Sequence, residues 1–68
     1  MAYEVVAIGP AEGRLWETLA ERFGEQSIVS GQGTVTLLLP DQSALVGVVG
    51  QLHDQNITID AVRRIEDL

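Results

Sequence analysis

Pro40 to Ile65 reads PDQSALVGVVGQLHDQNITIDAVRRI, and this stretch decides the fold. Its hydrophobic period changes once. Leu45, Val48, Val49 and Leu52 follow the i, i+3, i+4, i+7 spacing of an amphipathic helix. Ile57, Ile59, Ala61 and Ile65 then alternate as in a strand, with Arg63 interrupting the run. Asp41 is placed as an N-cap, its carboxylate accepting a backbone N–H one turn on. Asn56 is placed to end the helix in the left-handed conformation. The spacing predicts a helix over residues 42–55 and a strand over residues 56–66.

Working outward, Thr34 to Pro40 (TVTLLLP) and Gln26 to Ser30 (QSIVS) are β-leaning runs on either side of SGQG. A glycine-bearing loop of this length between two such runs predicts a hairpin. Further back, Pro10 to Gly24 carries Leu15, Trp16, Leu19 and Phe23 at helical spacing, and Gly24 stands where a helix-terminating glycine belongs. Tyr3 to Gly9 is rich in β-branched residues and ends in Gly-Pro, which punctuates a strand.

The order is strand, helix, strand, strand, helix, strand. Two interleaved split β-α-β units give an α+β, ferredoxin-like sandwich, a four-stranded antiparallel sheet with two helices on one face. The chain contains no internal repeat and no linker, so residues 1–68 are expected to form one domain.

Composition removes several function classes. The net charge is −6, the only bases are Arg14, Arg22, Arg63 and Arg64, and there is no Lys. A nucleic-acid binder needs a basic footprint, so neither nucleic acid nor an anionic membrane is expected as partner. With no Cys and one His, disulfides and transition-metal sites are not expected, and no cofactor motif is present. No apolar run approaches the ~20 residues that span a bilayer. The N-terminus lacks a basic region ahead of an apolar one, so a cytoplasmic location is expected.

Catalytic constellations are also missing. His53 falls at the flank of its helix and reads as a surface side chain. GPAEG (Gly9 to Gly13) joins a strand to a helix but matches no phosphate-binding glycine pattern, and Glu12 places a negative charge where a phosphate would sit. Glu17 and Glu21 share a helix face and read as solvated. The expectation is a protein that is not an enzyme.

Two surfaces remain. Ser43, Gly47, Gly50 and Asp54 fall opposite the apolar stripe of the second helix, so Gly47 and Gly50 form a small-residue strip that faces away from the sheet. Interior helix glycines cost about 0.8–1 kcal/mol each relative to Ala, and close packing of another chain is one way to make them useful. The other surface is the open side of the sheet. With Tyr3, Val5, Ala7, Val35, Leu37, Ile57, Ile59 and Ala61 toward the helices, Val6, Ile8, Leu38 and Val62 form an apolar patch on the opposite side. Glu4 and Arg64 fall on that side too and are expected to pair across an interface.

The same Pro40 to Ile65 stretch resembles a set of short uncharacterised bacterial proteins. The likeness runs through Asp41, Gln42, Ala44, Leu45, Gly47, Leu52 and Asp54, then Ile57, Ile59 and Val62 to Arg64. It implies a fold and no activity. A domain this small, with neither disulfide nor metal, gains most from a second subunit. The expected function is therefore a homodimerising interaction module, open to a further protein partner. The alternative is a regulatory domain like the ACT domains, with the same element order, binding an unidentified small molecule near GPAEG. A small enzyme using His53 or Glu4 is a third reading, weakened by the lack of a pocket in the sequence pattern.

Overall fold

The computed structural model describes residues 2–66. The elements are β1 (Ala2–Ile8), α1 (Arg14–Phe23), β2 (Ile28–Ser30), β3 (Thr34–Leu39), α2 (Gln42–Asp54) and β4 (Ile59–Ile65), with a 3₁₀ turn at Glu25–Ser27 ahead of β2. They form one four-stranded sheet in the order β2-β3-β1-β4, antiparallel throughout. That is the ferredoxin-like arrangement, with β1 and β3 in the centre.

The core lies between one face of the sheet and the two helices. Val5 and Ala7 of β1 and Val35, Leu37 and Leu39 of β3 pack with Trp16 and Leu19 of α1 and with Ala44, Val48 and Leu52 of α2. All ten side chains are buried, and Trp16 is core, not a ligand platform. The stripe of α2 is turned from the expected one. Ala44, Val48 and Leu52 are buried at i, i+4, i+8 spacing, while Leu45 and Val49 are half-buried at its edge.

Both ends of α2 follow the sequence. Asp41 Oδ1 accepts a hydrogen bond from the Ala44 N–H at 2.9 Å. At the other end Asn56 takes φ 59°. The Asn56 N–H donates to His53 O and the Ile57 N–H to Leu52 O, which is the Schellman pattern. Ile57 then packs against the core beside the helix it has just left.

Three expected boundaries move. Helix α1 begins at Arg14, not Pro10, because Gly13 adopts φ 103°, ψ 174°, a region that only glycine occupies readily. Strand β2 is cut to three residues because Glu25–Ser27 coil into the 3₁₀ turn, where Ser27 Oγ donates to Phe23 O at 2.8 Å. Strand β4 starts at Ile59, and its face assignment changes along its length, with consequences for the surface.

Candidate interaction surface

Cross-strand neighbours in an antiparallel pair share a face, so the register assigns every side chain to one side of the sheet. On the side away from the helices, Val6 lies beside Thr36 and Ala61, Glu4 beside Leu38 and Arg63, and Ile8 beside Thr34. Val29 of β2 lies beside Thr36 and completes the row Val29, Thr36, Val6, Ala61 across all four strands. Ile8 is 47% exposed, Leu38 38% and Val29 59%. Val6 is half-buried by its neighbours. Among the described residues no element covers this face, whose apolar members come from all four strands, Ala61 and Ile65 of β4 included.

Val62 does not belong to it. The β1–β4 ladder shifts register between Val6 and Ala7, so that Ala7 faces Ile59 while Val6 faces Ala61. One extra residue, Asp60, is accommodated in β4, a bulge that reverses the alternation beyond it. Val62 is thereby paired with buried Val5 on the helix side, where it sits 46% exposed at the sheet edge. Ala61, expected in the core, faces the open side. A strictly alternating pattern cannot reveal such a change of phase, and a one-residue slip exchanges the two faces.

The bulge also settles the charges. Arg63, which seemed to interrupt an inward run, points to the open side and donates from both Nε and Nη2 to Glu4 Oε1, at 2.9 and 2.6 Å. Glu4 is therefore paired within its own chain. Arg64, the expected partner of Glu4, lies opposite Tyr3 on the other side of the sheet and bonds Glu66 at 2.9 Å. Glu4 is the shielded member of its pair, 20% exposed against 69% for Arg63.

Gly47 and Gly50 are exposed on α2, on the far side of the molecule from the open sheet. A Cβ at either position would meet nothing within 4 Å. The fold thus separates the expected interface residues into three places: Val6, Ile8 and Leu38 on the open face, Val62 at the opposite side of the edge strand, and the glycines on the outer helix surface. Val29 was missed because β2 is too short for alternation to orient it. Only its pairing with Thr36 does so. Val46, 65% exposed on α2, is a further apolar side chain off the sheet.

His53, Glu17 and Glu21 are exposed and no two of them form a hydrogen-bonded pair. Among the described residues no group of three or more His, Cys, Asp or Glu is spaced to hold a metal ion. Among the described residues no helix is long and apolar enough to cross a membrane. A cleft of about 470 Å³ lies between α1 and the end of α2, with Gly13, Trp16 and Ile57 among its lining. Gln51 lines it, and Gln51 Oε1 is buried without a hydrogen-bond partner.

A small ferredoxin-like domain with an uncovered, largely apolar sheet face is what the fold and surface define. Residues 10–63 match the family described as a domain of unknown function (DUF8691), and the chain belongs to that family. No curated protein and no solved structure matches it.

Proposed function

We propose that the protein is a non-enzymatic, cytoplasmic interaction module that self-associates through the open face of its sheet. One observation carries the reading: Val6, Ile8, Val29 and Leu38 lie together on a face that nothing among the described residues covers. Sheet faces exposing contiguous apolar side chains of this kind mark sites of association. Burying each such side chain is worth up to roughly 1.5–3 kcal/mol, which offsets much of the cost of association. A two-fold pair is the commonest closed arrangement.

The test is sedimentation of the native chain at micromolar concentration beside Leu38→Asp and Val62→Asp. The native chain and Val62→Asp form dimers, and Leu38→Asp stays monomeric. A monomeric native chain, or a Leu38→Asp variant that dimerises as well, overturns the reading.

A second reading, a regulatory domain like the ACT domains, is favoured by Gln51. An amide oxygen closed off from solvent without a donor is costly, by about 1–3 kcal/mol. A small molecule carrying an N–H or ammonium group and seated in the α1–α2 cleft would satisfy it. A thermal-shift screen with amino acids and nucleotides checks this, since a bound ligand raises the melting temperature by mass action. A shift lost in Gln51→Leu supports it, and the absence of any shift rejects it for those ligand classes.

A further inference from the structure

We infer that ionic strength controls the self-association, with salt tightening it, an inference that rests on the sheet-face reading above. It starts from where the charges lie. The chain carries −6, but of the charged residues that the strand register assigns to a face, only Glu4 and Arg63 fall on the open side, and they are already bonded to each other. Glu12, Glu17, Glu21, Glu25, Asp41 and Asp54 belong to the helices, their caps and the segments leading into them. The open face is therefore less acidic than the helix side.

This distribution selects the occupant. A basic partner finds its complement on the helix side, away from the apolar residues. A second copy presents an equally apolar face whose one register-assigned acid and base are already paired. The size fits as well. Four strands about 4.8 Å apart and up to seven residues long at about 3.3 Å give a face of roughly 19 by 23 Å. Two such faces bury on the order of 1,000 Å², the lower end of specific interfaces. An interface of that size is readily modulated by forces acting from outside it.

The outside force is repulsion. Face-to-face stacking holds two charges of −6 about one domain thickness apart, and the two shorter extents of the molecule are 22 and 21 Å. The screening length is about 30 Å at 0.01 M salt and about 8 Å at 0.15 M. The two copies feel each other's charge in the first case and hardly at all in the second. The intrachain Glu4–Arg63 pair gives no compensating attraction for salt to weaken. The dimer dissociation constant is expected to fall about 100-fold over that range. Association driven by opposite charges moves the other way, so the sign is diagnostic.

The experiment is sedimentation of the full chain at about 0.01 and 0.15 M sodium chloride and neutral pH, repeated with Glu17→Gln/Glu21→Gln. Both substituted residues are exposed on α1, remote from the open face, and the change takes the net charge from −6 to −4. The native dimer should tighten with salt. The variant should associate about tenfold more tightly than the native chain at low salt and equally at high salt. A dimer whose affinity is indifferent to salt, or weakened by it, overturns the inference and leaves the sheet-face reading standing. A dimer that tightens equally in the native chain and the variant also overturns it, since the effect of salt is then not charge repulsion. Monomers under every condition overturn both.

Discussion

Asp41 holds the front of α2 through one hydrogen bond, from the Ala44 N–H to its Oδ1. Asp41→Ala removes the acceptor and is expected to lower stability by about 1 kcal/mol in urea unfolding. Gly47 is the opposite case. It is exposed, in mid-helix, with open space where a Cβ would go. Gly47→Ala is expected to stabilise the chain by up to about 1 kcal/mol, because alanine restricts the unfolded chain and suits a helix. A destabilised Gly47→Ala in the same urea series would reveal a partner packed on that surface, through overpacking by the added methyl. Single residues of this kind were legible in advance. The cap, the left-handed Asn56 and the glycine ending α1 each depend on local backbone chemistry that four or five consecutive residues specify.

At the scale of the element, strand β4 is the informative case. Its sequence alternates in one phase except at Arg63, and the fold uses both phases, joined at Asp60. Without the bulge Arg63 would fall on the helix side of the sheet. With it, Arg63 reaches Glu4 on the wet side of the sheet. The ion pair itself adds little, since exposed pairs contribute about 0.2–1 kcal/mol. Arg63→Ala is expected to cost less than about 1 kcal/mol in urea unfolding, whereas Arg63→Leu, which leaves Glu4 as an unpaired acid on the open face, should weaken dimerisation in sedimentation. The helices were easier to place than this strand because a helical stripe averages over several turns. A strand's face is lost by one inserted residue, and nothing within β4 marks Asp60 as that residue.

At the scale of the whole molecule, element order alone was enough for the architecture, because short connections and interleaved β-α-β units leave few alternatives. The core followed, with Val5, Ala7, Val35 and Leu37 all on the expected side. The candidate surface was only half legible. Val6, Ile8 and Leu38 were assigned from alternation in the two long central strands, while Val29 and Val62 sit on the edge strands, where shortness and the bulge defeat it. Truncating the centre of the core gives the largest stability effect: Leu37→Ala is expected to cost about 2–5 kcal/mol. In a domain whose total is itself small, that is enough to leave a substantial unfolded fraction at room temperature, readable by circular dichroism.

The pairing of Ala2 with Ile65 places the first and last strands side by side at the centre and edge of the sheet. The order of the chain is thus separable from the order of the fold. Joining the end of β4 to the start of β1 with a short flexible peptide and opening the backbone in the Gly31–Gly33 turn would produce a circular permutant. It would keep each strand neighbour of the parent and turn the β2–β3 hairpin into a pairing between the two new ends. Such a rearranged chain would show whether that local hairpin is needed for the sheet to assemble, or whether β1, flanked by β3 and β4, is sufficient to organise it.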